Sequence, residues 1–275
     1  MADRPILMSA PMVRAILAGA KTQTRRLVKG APDDWAPMQP EVYSPTVVDR
    51  HGDEQPGPDA FGAGNEDGSD WVPCPYGQPG DRLWVREAWG YRCSAGTRAV
   101  GQYMHTIAYR ADDARHSYGP MPIEGVGLPK WRERDEGMSP QAWDDRMTAY
   151  WRQWRPSIHM PRWASRITLE ITAVRVERLQ DISEADAKAE GISEFVGGWW
   201  CEHDDAEQIA GMTPQEGYAH LWERINGAGS WAENPWVWVV TFQRAGQAPN
   251  VGAKRAAEGG PLERPVRALV PKREG

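Results

Sequence analysis

The chain has little phenylalanine, cysteine or lysine, and each shortage removes a class of explanation. Its 3 cysteines, Cys74, Cys93 and Cys201, show no CxxC spacing. Neither a disulfide framework nor a zinc ribbon is expected, and a reducing, cytoplasmic setting fits. No apolar stretch approaches the ~20 residues of a membrane span, so no membrane partner is expected. The opening Met-Ala-Asp-Arg-Pro lacks the charged-then-apolar order of a secretory leader. There is no GxGxxG and no P-loop, which argues against dinucleotide or ATP chemistry, and no cofactor is expected. A net charge of −6 argues against a non-specific nucleic-acid coat. A local basic groove remains compatible, because charge distribution matters more than its sum.

Tryptophan, by contrast, is abundant: 15 Trp against 3 Phe. Trp fills cores and also stacks on nucleobases. Of 32 basic residues only 6 are lysine, at positions 21, 29, 130, 188, 254 and 272. The preponderance of Arg, with much Ala, Gly and Pro, reads as a coding bias. Against that background Gly19-Ala-Lys21-Thr-Gln-Thr24-Arg25-Arg26 stands out. Lysine loses its proton when its surroundings shift its pKa, whereas arginine effectively does not. A lysine beside a threonine is therefore a candidate base and nucleophile pair, or simply a solvated basic turn.

Along the chain, Ile6-Leu7-Met8 reads as an edge strand. Ser9 and Pro11 suit a helix start, with Met12/Ile16 and Val13/Leu17 facing inward and Gly19 as the stop. Residues 30–75 are rich in Pro, Gly and Asp and read as a long loop or partly disordered insertion. Arg82–Trp89 alternates like a half-buried strand, and Tyr103–Tyr109 reads as another. Residues 111–160 read as a second insertion holding a helix near Pro140–Trp154. Arg166–Leu179 alternates over a length that predicts one bent strand or two strands joined by a bulge. Ser183-Glu-Ala-Asp186 opens a short helix ending at Glu190, with Gly191 beyond it. Pro214–Ile225 reads as a helix with Tyr218, Leu221, Trp222 and Ile225 on one face. Pro235–Phe242 is a closing strand, Val237 and Val239 on one face and Trp236 and Trp238 on the other. Residues 245–275 read as a disordered tail. One domain over 1–244 is expected, in the α+β class and mainly β, as a small β-barrel with short helices at its rim.

Four of these motifs, in this order, resemble the ASCH domain, a branch of the PUA-like superfamily. They are the segment Gly19–Arg26, Pro79-Gly-Asp-Arg-Leu-Trp-Val85, Ile182–Gly191, and Trp236–Phe242. The chain is similar to the long members found in bacteriophages and prophages, which carry insertions between barrel strands. The resemblance implies a PUA-like β-barrel with a cleft for nucleic acid or a nucleoside. Small bacterial ASCH proteins include N4-acetylcytidine amidohydrolases, in which a Lys and a Thr of the opening motif work with a Glu of the late helix. By motif position these are Lys21, Thr24 and Glu190.

The expected chemistry is hydrolysis of an N4-acylated cytidine or a related modified nucleoside. Thr24 would be the nucleophile, with acid/base help from Lys21 and Glu190. A nearby carboxylate favours protonated lysine, so a dry site and the neighbouring Arg26 would have to offset Glu190. The alternative expectation is a module that binds RNA or modified nucleic acid without chemistry. Arg25 and Arg26 are candidates for holding a phosphate or base edge. His159, Arg162 and Trp163 sit in a Trp- and Arg-rich, proline-stiffened segment, as a stacking rim or as a packed loop. Cys201-Glu-His203-Asp-Asp205 has too few spaced ligands for a structural zinc, and no metal is expected. Nothing in the sequence sets an oligomeric state.

Overall fold

Alternating segments far apart in the chain meet in one sheet. The computed structural model describes residues 1–32, 35–95, 103–119, 139, 142, 153–195, 198–200 and 213–246. Strands β1 (Asp3–Leu7), β2 (Gln23–Leu27), β3 (Arg82–Arg86), β4 (Thr168–Arg178) and β5 (Trp236–Arg244) form a five-stranded sheet in the order β1-β3-β4-β5-β2. β1 lies parallel to β3, and the other neighbours are antiparallel. The β4–β5 ladder runs from Leu169↔Arg244 to Arg178↔Trp236, with a bulge between Ile171 and Ala173. The bend expected within Arg166–Leu179 is therefore a bulge in one strand.

The period-two pattern of β5 separates two cores, because successive side chains face opposite sides of a sheet. Trp238, Val240 and Phe242 join a cluster with Val13 and Ile16 of helix α1 (Ala10–Leu17). Val237 and Val239 join another, with Ala187 of helix α2 (Glu184–Ala189) and Tyr218, Leu221 and Trp222 of helix α3 (Pro214–Asn226). Local chemistry fixes the helix ends. Ser183 accepts a hydrogen bond from the Asp186 amide at 3.1 Å. Thr213 and Glu216 form a full capping box at the start of α3. Ser9 sits at the N-cap of α1 but makes no side-chain cap bond there.

The protein is mainly β with few helices among the described residues. The expected closed barrel is not formed by the described strands. β1 and β2 are the two edges of the sheet and share no ladder. A side chain bridges them instead: Arg26 Nη2 donates to the Leu7 carbonyl at 2.7 Å.

Residues 30–75 are more ordered than their composition suggests. Glu41–Tyr43, Ala60–Ala63 and Val72–Pro73 form a three-stranded sheet, and Thr46–Val48 pairs with Glu54–Pro56. Trp35 anchors the segment. It is 1% exposed, packs edge-on against Trp236 at 5.9 Å, and donates its indole N–H to the Asp70 carbonyl. Apolar anchors this widely spaced leave no periodicity to read. Further on, Trp89–Ala95, Tyr103–Tyr109 and Arg115–Gly119 form another three-stranded sheet, which carries the start of the segment expected to be inserted at 111–160. Most of the helix expected near Pro140–Trp154 lies outside the described residues. Met1–Ala245 is one compact unit, and the second unit, Gly246–Gly275, is described only at Gly246, so the expected tail lies almost wholly outside.

Candidate active site

The turn after α1 delivers Lys21 to the C-terminal end of α2. The Ala20 and Lys21 amides both donate to the Ala15 carbonyl, and the Thr22 amide donates to the Ala189 carbonyl at 2.9 Å. Gly191 allows this contact. Its φ of +99° is the left-handed region, and an added Cβ would meet Ala15 Cβ at 3.4 Å and Lys21 Cβ at 3.6 Å. Glu190, the C-cap of α2, is thus held against the start of β2.

Lys21 Nζ donates to Glu190 Oε2 at 2.7 Å and to the Glu190 carbonyl at 2.9 Å. The side chains are 0% and 3% exposed, so this pair is removed from water. Arg25 Nη1 reaches the other carboxylate oxygen, Oε1, at 3.3 Å. Arg25 Nη2 bonds Glu177 and also Asp186 at 3.3 Å, and Arg175 closes the network at 2.8 Å to each of these acids. Swapping the Gln23 amide lets it donate to Asp186 and accept from Arg25 Nη1. Lys21, Arg25 and Arg175 match Glu190, Glu177 and Asp186 in charge, and this pairing offsets part of the desolvation cost of burying them. Burial lowers the pKa of Lys21, and the charges of Arg26 and Arg25 push the same way, against the opposing pull of Glu190.

A partly open cleft of about 240 Å³ adjoins the network. Its floor is β2, through Thr24, Arg25, Arg26 and Leu27. One wall is α3, with Tyr218, Leu221, Trp222 and Ile225, and Glu190 lies beside it. Met12 of α1 and Tyr76 stand on the other side. Thr24 is 2% exposed. The odd-numbered residues of β2 share the face of Val237 and Val239, as their register shows, while Thr24 and Arg26 face the α1 side. Thr24 and the Lys21–Glu190 pair therefore approach the cleft from opposite faces of β2. No hydrogen bond joins Lys21 Nζ to Thr24 Oγ1 among the described residues.

Of the eight residues singled out from the sequence, Thr24, Glu190, Arg25 and Arg26 line this cleft, and Lys21 is buried behind it, bonded to Glu190. The other three do not line it. His159 is exposed at the end of a single 3-10 turn, Ser157–His159. Arg162 donates to Asp3 at 2.7 Å and lies 5.8 Å from the Trp84 ring. Trp163 packs edge-on to Trp89 at 6.1 Å. Within this segment Trp163 is packed, while His159 and Arg162 are exposed. The Cys201–Asp205 cluster lies outside the described residues, and no group of three metal-ligating side chains occurs among those described.

Sequence reasoning missed Tyr218 as a cleft residue and Glu177, Asp186 and Arg175 as the second layer of charge. Tyr218 carries the signature of a core position, an aromatic on the apolar face of a helix. The Arg25 guanidinium nonetheless sits 5.8 Å from its ring, and burial pushes the Tyr218 pKa well above 10.0. Arg175 and Glu177 did carry a signal: charges alternating with Val174 and Val176 along one strand. No family model, no curated protein and no solved structure matches this chain.

Proposed function

We propose that the cleft is the active site of an amidohydrolase that removes the acyl group from an N4-acylated cytidine or a related modified nucleoside. The observation that carries this reading is the dehydrated Lys21–Glu190 pair, with its lowered lysine pKa, beside a cleft that Thr24 also lines. A volume near 240 Å³ lies just below the usual range of ligand pockets, so a single base or nucleoside suits it better than a polymer. Tyr76, Tyr218 and Trp222 supply flat apolar surface for a heterocycle.

In this mechanism Thr24 Oγ1 attacks the acyl carbonyl. Its proton passes to the Lys21–Glu190 pair through Glu190, the member of the pair that lines the cleft. The C–N bond breaks, and the leaving amine takes the proton relayed by Lys21 and Glu190. Water then cleaves the Thr24 ester, releasing the carboxylic acid and restoring the hydroxyl. The PUA-like (ASCH) architecture belongs to the same proposal. It rests on the motif order and on the pairing of β2, from the opening motif, with β5, the closing strand.

One observation favours a second reading, a module that binds a modified nucleoside or RNA without chemistry. Lys21 Nζ already donates to two oxygens of Glu190, and the six-charge network balances without a ligand. Mass-detected hydrolysis of N4-acetylcytidine decides between them. The hydrolase yields cytidine and acetate in equal amounts. Calorimetric binding without product supports the binding module.

A further inference from the structure

The floor of the cleft is an unpaired strand edge. β2 pairs only with β5 among the described strands. The Phe242 amide donates to the Thr22 carbonyl and the Val28 amide to the Trp236 carbonyl. In an antiparallel ladder the hydrogen-bonded residues alternate, so residues 24 and 26 bond to β5 while Gln23, Arg25 and Leu27 turn their N–H and C=O outward. The cleft is lined both by Arg25 and Leu27, which share the α3 face, and by Thr24 and Arg26, which share the α1 face. A cavity that touches both faces of one strand lies across that strand's free edge. The part at Arg25 and Leu27 opens into the cleft.

We propose that the outward Arg25 carbonyl and Leu27 amide are the recognition element of the cleft, and that they read the adjacent donor and acceptor of a pyrimidine base. The two groups follow one another along the edge as acceptor then donor. A ring nitrogen acceptor beside an exocyclic N–H, as in cytosine N3 and N4–H, is the complement. An extended peptide also pairs with a free edge. The walls formed by α3 on one side and Met12 and Tyr76 on the other favour the flat ring, because they close on the edge from both faces. This inference rests on the nucleoside reading and names the part of the base that is read.

The test is calorimetric titration of cytidine and of N4,N4-dimethylcytidine, which lacks the N4–H. Each is titrated into wild type, Leu27→Pro and Leu27→Ala. Proline is tolerated on an edge strand and removes the outward amide alone. Leu27→Ala keeps that amide and trims the side chain. Melting curves confirm that each variant folds. Loss of one such hydrogen bond is expected to weaken cytidine binding to Leu27→Pro by about tenfold, and N4,N4-dimethylcytidine binding to wild type by a similar factor. The loss in Leu27→Pro should exceed that in Leu27→Ala, which trims the same side chain but keeps the amide. Equal binding of the two nucleosides by wild type overturns the proposal. So does undiminished binding by folded Leu27→Pro, tighter binding of a short peptide than of cytidine, or no binding of cytidine. Binding with the expected pattern but no hydrolysis of N4-acetylcytidine leaves the edge reading standing and removes the hydrolase. Hydrolysis that is indifferent to Leu27→Pro removes the edge reading alone.

Discussion

Lys21 owes its chemistry to where its neighbours place it. Burial disfavours its charge, Arg25 and Arg26 add to that, and Glu190 opposes it. Its pKa in the folded protein falls below the 10.5 of a free lysine. Between those two values the unfolded chain binds more protons than the folded one, so the lysine's contribution to stability rises with pH through this window and is complete above 10.5. Tyr218 acts in the opposite sense. Its raised pKa costs stability as pH climbs past 10.0, where only the unfolded chain ionises. Lys21→Met leaves Glu190 buried with only Arg25 at 3.3 Å. It should cost about 3–5 kcal/mol at neutral pH by urea unfolding, the scale of a broken buried pair. The gap between wild type and Lys21→Met should then widen as pH rises toward 10.5. A gap that shrinks over that range would mean the lysine's pKa is raised.

At the scale of elements, the site depends on how α2 meets β2. Gly191→Ala should strain a φ of +99° and press on Ala15 and Lys21. The expected cost is ~1–2 kcal/mol, with a larger loss of any cleft activity because Glu190 shifts with it. A variant with wild-type stability and wild-type activity would show that the left-handed turn does not hold the pair. This junction was legible in the sequence because its parts are local. The Ser183 cap, Gly191 as a stop and the lysine after Gly19 each follow from short-range chemistry. The faces of β5 were legible for the same reason, with Val237 and Val239 opposite Trp236 and Trp238.

What was not legible depends on long-range partners. Trp35 gives no local sign that it enters the main core through Trp236, so residues 30–75 read as loop. Trp35→Ala should lower stability by ~3–5 kcal/mol, and limited proteolysis should then cut first between residues 30 and 75. Persistent protection of that segment would show that it is held by other contacts. The openness of the sheet is of the same kind. Strand patterns give faces, while closure depends on whether β1 and β2 meet, and here Arg26 spans the gap. Tyr218 escaped notice because an aromatic that lines a cleft and one that fills a core leave the same helical pattern.

For the molecule as a whole, two cores clamp one sheet from opposite faces, and the cleft opens where β2 ends that sheet. Everything proposed for function converges on this edge. Glu190 and Lys21 come from one face, Thr24 from the other, and the strand backbone lies between them. The Arg162–Trp163 segment instead packs against β1, β3 and Trp89, apart from the cleft lining. The most direct test is the rate of N4-acetylcytidine hydrolysis by wild type, Lys21→Ala and Thr24→Ala, each shown to be folded. The account predicts turnover by wild type, loss of at least ~10²-fold without Lys21 and abolition without Thr24. Absence of turnover by folded wild type, or undiminished turnover by Thr24→Ala, would contradict it.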